Sequence, residues 1–229
     1  MQVVRSAAEL PDSIRGCAVS IGNFDGVHRG HAHIVSEVIA RARLMGGPSV
    51  IFTFDPHPVR LLRPEQAPPP LTWTDRKAEL LAELGVDFLV VYPTDEKLLQ
   101  LSAREFFQQM VLERLQARAI VEGPNFFFGH RREGNVVRLR ELCVEFGVEL
   151  GIVDPIAIDG QLVSSSRVRG LIEQGDVDSA RRLLTKPYRI RGMVTHGAKR
   201  GSRIGFPTAN LSRSEEHTSE LQSHLNLVC

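Results

Sequence analysis

The run Gly22-Asn23-Phe24-Asp25-Gly26-Val27-His28-Arg29-Gly30-His31 constrains this chain more than any other stretch. Before it lies Cys17–Gly22, an apolar candidate strand. After it comes His31–Leu44, where Ile34, Val35, Val38, Ile39 and Ala42 fall on one helical face. A glycine-rich turn between strand and helix is where a doubly wound α/β sheet presents backbone N–H groups to phosphate. Gly22, Gly26 and Gly30 let the main chain approach a ligand with no Cβ in the way, and Phe24 and Asp25 lie in the same turn. His28 and His31 open the helix three residues apart, and imidazoles there can donate hydrogen bonds to phosphoryl oxygens as charge builds up. A plain glycine-rich turn with two exposed histidines is the bland alternative, and the strand–turn–helix setting weighs against it. Zinc is a poor reading, since no cysteine or further histidine has suitable ligand spacing nearby.

The rest of the first part keeps the same rhythm. Ser49–Phe54, Val86–Tyr92, Ala119–Glu122 and Val148–Val153 read as further strands, with amphipathic stretches between them, the pattern of a parallel sheet covered by helices. Asp75–Leu84 reads as a helix ending at Gly85. Ser102 and Glu105 form a capping-box pattern ahead of Phe106, Phe107, Met110, Val111 and Leu115 at helical spacing. Arg63–Pro70 carries four prolines and reads as a loop. Asp159-Gly160 between short apolar runs signals a hairpin. Two short helices follow, one starting near Ser166 and one capped by Asp176. A domain boundary is expected near Pro187, beyond which Tyr188, Ile190, Gly192 and Val194 alternate as in a strand.

With 28 basic and 27 acidic side chains the net charge is +1, so no global field draws the chain to nucleic acid or to an anionic membrane. Anion binding must come from a local site. A second such site is Ser164-Ser165-Ser166-Arg167-Val168-Arg169. Hydroxyls and free N–H groups at a helix N-terminus suit a triphosphate, and arginine adds a fork for two phosphate oxygens. Alone, the run reads more readily as ordinary capping; beside the two histidines the balance reverses. No membrane-length apolar run or signal-peptide core is present, and Cys17, Cys143 and Cys229 read as reduced thiols of a cytoplasmic protein.

The two histidine-and-serine motifs together resemble the HxGH nucleotidyltransferase superfamily, Rossmann-like in fold. Within it, the decapeptide, Phe52-Thr53-Phe54-Asp55-Pro56-His57-Pro58 and Gly123-Pro124-Asn125-Phe126-Phe127-Phe128-Gly129 resemble bacterial bifunctional riboflavin kinase/FAD synthetase. The resemblance implies an FMN adenylyltransferase using Mg²⁺ and ATP, with FMN, riboflavin and FAD as substrates or product. It implies that His28 and His31 steady the α- and β-phosphates, and that Ser165, Ser166 and Arg169 hold the β- and γ-phosphates. Gly22, Phe24, Asp25, Gly26, Gly30 and Ser164 would complete the ATP site. Asp55, Pro56, His57, Pro58, Asn125, Phe126 and Phe128 would face the flavin. Asn125 stands where the family has aspartate, and Ser166 where threonine is usual. The alternatives are another adenylyltransferase of the superfamily, acting on phosphopantetheine or nicotinate mononucleotide, or a non-catalytic flavin- or nucleotide-binding protein.

Gly192–Leu211 resembles the opening of the riboflavin kinase module, a small β-barrel, whose Thr208 and Asn210 would serve a kinase-type Mg²⁺ site. The resemblance stops there. Arg213–Ser223 (RSEEHTSELQS) reads as one frame of a translated sequencing adapter. The expected organisation is therefore an adenylyltransferase domain over 1–186, the truncated start of a kinase barrel over 187–212, and a non-native tail over 213–229. Riboflavin kinase activity is expected to be absent.

Overall fold

Six parallel strands make the central sheet: β1 (Gln2–Val4), β2 (Ala18–Ile21), β3 (Ser49–Asp55), β4 (Phe88–Pro93), β5 (Ala119–Glu122) and β6 (Glu149–Ile152). Their spatial order is β1-β4-β3-β2-β5-β6. The computed structural model describes residues 1–5, 10–195, 210–212 and 227–228. From β2 the chain winds outward one way through β3 and β4, then returns to the other side of β2 to lay down β5 and β6. The winding reverses between β2 and β5, and the crevice at the carboxyl ends of those strands is where such sheets bind ligands.

Helices cover both faces, which is why β2 to β5 read as near-continuous apolar runs. α1 (Arg29–Met45) packs Val35 and Val38 against Ala18, Ile51, Leu89 and Ala119. After α2 (Pro58–Leu62), α3 (Thr74–Glu83) adds Leu80 and Leu81 to that same cluster. Beyond α4 (Glu96–Gln100) the opposite face is closed by α5 (Ala103–Phe106), its π-helical continuation Phe107–Arg114, and α6 (Val136–Phe146). These bring Phe106, Phe107, Met110, Leu139 and Leu142 onto Val19, Ile21, Val50, Phe52 and Ile120. Burial of this extent, at about 25 cal/mol per Å² of apolar surface, is the main force holding the layers together.

Several local expectations hold. Ser102 and Glu105 form the reciprocal capping box, and Asp176 caps its helix by accepting from Ser179 N–H. β7 (Ala157–Ile158) and β8 (Gln161–Leu162) form the hairpin, with Asp159 and Gly160 at φ +55° and +71°, as a two-residue turn requires. α7 (Ser165–Glu173) and α8 (Val177–Leu183) follow. Other details differ. Pro58 opens α2 and Pro64–Gln66 is a 3-10 turn, so the proline-rich stretch read as a loop contains a short helical turn; proline is well suited to a first helical position. β1, which sequence patterning does not single out, is three residues long and buries only Val4. Cys17 and Cys143 are free, buried thiols, and burial pushes both pKa values up to about 12; Cys229 lies outside the described residues.

The chain divides into two compact units, Met1–Thr185 and Lys186–Cys229. In the second, β9 (Arg189–Ile190) pairs antiparallel with β12 (Leu227–Val228), and β10 (Met193–Thr195) with β11 (Asn210–Ser212). The alternating stretch from Tyr188 is thus two short strands. A two-residue ladder such as β9–β12 is open to almost any sequence, because the backbone alone makes its bonds. Among the described residues no helix is long and apolar enough to cross a membrane.

Candidate active site

At the carboxyl ends of β2, β5 and β6 a cavity of about 290 Å³ opens where the winding reverses. The turn after β2 supplies Gly22, Asn23, Phe24, His28, Gly30 and His31 to its wall. The end of β5 contributes Glu122 and the segment after it Gly123 to Phe126, that after β6 Val153 to Ile156, and Val163 and Ser164 lead into α7. Sequence patterning anticipated most of this wall, but not Glu122 or the stretch after β6.

The glycine turn is tightly specified. Gly26 sits at φ +82°, and a Cβ there would meet Leu71 Cδ1 at 2.8 Å. A Cβ on Gly30 would press on the His28 ring at 3.2 Å. Phe24 and Val27 adopt φ +46° and +36° despite their side chains, and both are buried. Such conformations cost on the order of 1–3 kcal/mol each and persist where surrounding contacts impose them. Here those contacts include Thr185 Oγ1 donating to Val27 O, and a bridge between His28 and Leu184.

His28 caps α1: its Nδ1 accepts the His31 backbone N–H at 3.2 Å. An accepting Nδ1 puts the ring proton on Nε2, a tautomer assigned from this bond. The His28 and His31 rings stack with centroids 3.7 Å apart and planes 12° from parallel. Phe24 lies 5.0 Å from His31 on a tilted plane. Burial lowers the His28 pKa to about 4, and lowers that of His31 well below its usual range, helped by the charges of His28 and Lys77. Both rings are therefore neutral at pH 7. His31 Nδ1 and Asn23 Oδ1 are buried without a protein partner, and both residues line the cavity. Buried polar atoms are rarely left so, and a ligand is the natural completion.

This pair makes stability pH-dependent. The imidazoles titrate near 6.5 when unfolded, so the unfolded chain binds protons the folded one refuses, and stability falls as pH drops below 6.5. For His28 alone the loss between pH 7 and pH 4.5 amounts to about 2.4 kcal/mol. In urea titrations at pH 7 and 4.5, His28→Gln should lose less stability than the wild type by about that amount. Equal losses would refute the buried neutral ring.

Asp25 faces away from solvent as a hub. Its carboxylate accepts from Leu71 N–H, Thr72 N–H and Thr72 Oγ1 at 3.0–3.1 Å, and from Arg169 at 2.6 Å. The Arg169 guanidinium also donates to Pro69 O, and Ser165 Oγ donates to Asp25 O. Thus Arg169 and Ser165 are brought to the glycine turn across 140 residues or more of sequence. Ser164 is the N-cap of α7, accepting from Arg167 N–H, while Ser166 is exposed in its first turn. Arg167 is spent on the hairpin carbonyls of Ile158 and Gln161.

The residues expected around a flavin do not all gather at the cavity. Asn125 and Phe126 line it. Phe128 is buried in the core, stacked on Phe126 at 5.3 Å and near Phe106, while Phe127 lies under Arg132 at the surface. Asp55 accepts from Thr74 Oγ1, and Pro56 O accepts from Thr94 Oγ1. His57 is the N-cap of α2, accepting from Val59 N–H, and Pro58 is that helix's first residue. This segment stands beyond the cavity lining, yet His57 feels the charges of Asp25, Arg169 and Lys77; burial, the leading cause, lowers its pKa. Two further residues carry chemistry that the sequence alone does not reveal. Glu122 is fully buried, accepts Ile21 N–H at 2.6 Å, and burial raises its pKa well above the usual range. Lys77 is a buried ammonium bonded to Thr53 Oγ1. Thr208 lies outside the described residues, and Asn210 is described only as strand backbone.

Comparison with known proteins places these observations. Residues 10–167 match the FAD synthetase family, and residues 184–223 match riboflavin kinase. The bifunctional riboflavin kinase/FMN adenylyltransferase of Pseudomonas fluorescens is 38% identical over 211 residues, 92% of this chain and 68% of the relative. That of Escherichia coli K12 is 33% identical over 212 residues, with the same coverage. The crystal structure of a macrolide-efflux protein from Streptococcus pneumoniae superposes with TM-score 0.78 at 28% identity, over 92% of this chain and 68% of that one.

Proposed function

Because the chain belongs to the FAD synthetase family, we propose that its first unit is an FMN adenylyltransferase, which transfers AMP from ATP to FMN to give FAD and pyrophosphate. The observation that carries this reading is the stacked, neutral His28–His31 pair on a cavity at the point where the sheet reverses. In the reaction, an FMN phosphate oxygen attacks the α-phosphorus of Mg·ATP. The bond from that phosphorus to the bridging β-phosphate oxygen breaks, and pyrophosphate leaves with the electron pair. The attacking phosphate is already anionic at neutral pH, so positioning and charge stabilisation supply the catalysis.

Neutral imidazoles donate hydrogen bonds to the α- and β-phosphates without carrying charge into the buried site. Gly22, Gly26 and Gly30 keep the main chain open to the phosphates. Arg169, oriented by Asp25, spends two of its five donors on protein and has the rest for β- and γ-phosphate oxygens, with Ser164, Ser165 and Ser166 beside it. Mg²⁺ would enter with ATP and be held mostly by phosphate oxygens and water, since both Asp25 oxygens are committed within the protein. Asn125 and Phe126 contact the flavin from the cavity wall, with Phe128 bracing Phe126 from the core. Asp55, Pro56, His57 and Pro58 border the FMN phosphate. Reduced, buried cysteines fit a cytoplasmic enzyme.

We assign residues 1–186 to this activity, 187–212 to the start of the kinase barrel, and 213–229 to a non-native tail. The riboflavin kinase match runs on to residue 223, across the adapter-like run, and resequencing the locus past codon 212 decides between the two. Thr208 and Asn210 would belong to an incomplete kinase Mg²⁺ site. Supplying FMN and ATP should therefore yield FAD, read by its quenched fluorescence, whereas riboflavin and ATP should yield neither FMN nor FAD. Failure to form FAD from FMN sinks the adenylyltransferase reading. FMN made from riboflavin sinks the incomplete kinase.

A further inference from the structure

Lys77 on α3 is 8% exposed, and its ammonium makes a 3.1 Å hydrogen bond to Thr53 Oγ1. Its neighbour Arg76 pairs with Glu79, but Lys77 has no ion-pair partner among the described residues. Asp25 and Asp55 attract it from further off, and each is engaged elsewhere, Asp25 with Leu71, Thr72 and Arg169 and Asp55 with Thr74. A buried cation bonded to a neutral hydroxyl is costly, and an apolar side chain of similar length would fold at least as well. Stability alone does not account for the charge. Its surroundings do: Thr53 passes the contact on by donating to Asn23 O at 3.2 Å, inside the glycine turn. Asn23 in turn holds its own side-chain oxygen buried and unpartnered at the cavity.

We propose that Lys77 is a positioning residue for adenylyl transfer, fixing the Asn23 turn through Thr53 and adding positive potential at His31. The proposal rests on the adenylyltransferase reading and extends it to a residue outside the cavity lining. An unpaired cation in a low-dielectric interior keeps its field, whereas one neutralised by a carboxylate does not. Negative charge spreading over the phosphoryl oxygens in the transition state is stabilised by that field without any contact. The charge is also felt at His31, which lines the cavity, and at His57.

The test compares wild type, Lys77→Met and Thr53→Val for thermal midpoint, kcat, and KM for FMN and ATP. Lys77→Met should keep or raise the midpoint while kcat falls about tenfold or more. KM for FMN should stay within roughly twofold, because the field acts mainly on transition-state charge. Thr53→Val leaves the charge but cuts its link to Asn23, and should lower kcat by a smaller factor. A Lys77→Met protein that melts earlier or fails to fold makes the lysine structural and overturns the proposal. So does a stable Lys77→Met with wild-type kcat, and wild-type kcat in Thr53→Val overturns the link through Asn23. A wild type that forms no FAD would instead refute the adenylyltransferase reading, and the midpoint comparison would still report whether the charge costs stability.

Discussion

Replacing His31 by alanine should lower FAD formation by about 10²–10³-fold, or about 2.7–4 kcal/mol in the barrier, while FMN binding changes little. His31 is buried against His28 and Phe24, neutral, and has a ring nitrogen with no protein partner. Such a donor gains most when charge develops on a phosphoryl oxygen, so its loss falls on kcat more than on ground-state binding. His28 needs a subtler substitution. Its Nδ1 also caps α1, and a cap is worth about 0.5–2 kcal/mol of stability, so alanine would confound catalysis with folding. His28→Asn keeps a capping acceptor and removes the ring. It should cost turnover on the same scale as His31→Ala with a nearly unchanged thermal midpoint. Steady-state kinetics with a flavin titration read both effects. Wild-type turnover in both variants would remove the imidazoles from the mechanism.

Asp25→Ala should destabilise the protein by about 3–5 kcal/mol, the usual cost of breaking a buried ion pair from one side. The side chains of Asp25 and Arg169 are 11% and 12% exposed, and their bond is 2.6 Å long. Removing the carboxylate strands the guanidinium with Pro69 O, and leaves Leu71 N–H and Thr72 N–H without their acceptor. It also leaves the hydrogen bond from Ser165 Oγ to the Asp25 carbonyl to hold the glycine turn to α7 without the ion pair. Removing the partner as well should recover part of the loss: Asp25→Ala/Arg169→Met is expected to be more stable than Asp25→Ala, because no buried charge is left unmatched. Urea unfolding of the wild type, the single variant and the double variant measures this directly. A single variant within about 1 kcal/mol of the wild type would mean that the pair is solvated and holds nothing together.

How much of this was legible beforehand differs from residue to residue. The strands from Ala18 to Ile152, the capping box at Ser102 and the Asp159-Gly160 hairpin follow from local signals, because period, cap chemistry and turn geometry act over a few residues. The glycine turn with His28 and His31 was legible for the same reason: strand, turn and helix are contiguous, so spacing along the chain is spacing in space. The Ser164–Arg169 segment could be read as a second phosphate motif, but not as a partner of Asp25. That link spans 144 residues and exists only once the sheet has brought α7 beside the turn.

The same distinction separates residues that looked alike in sequence. Phe126, Phe127 and Phe128 are chemically equivalent, and only the packing of the segment after β5 sends one to the cavity, one to the surface and one to the core. His57 reads in sequence as a loop residue by the flavin and is a helix cap in the structure, its Nδ1 accepting the Val59 N–H at the start of α2, where Pro58 brings no donor of its own. Glu122 and Lys77 gave no signal at all: in sequence one is the last residue of a strand, the other an ordinary helix lysine. Whether a charged side chain is solvated or buried depends on layers assembled from distant parts of the chain, and burial, not residue type, raises the Glu122 pKa and lowers that of Lys77. The sequence by itself thus determined the strand–turn–helix glycine loop with its two histidines. Which side chains surround that loop, in what charge state and with which partners, was decided only by tertiary structure, since those properties are set by contacts between residues far apart along the chain.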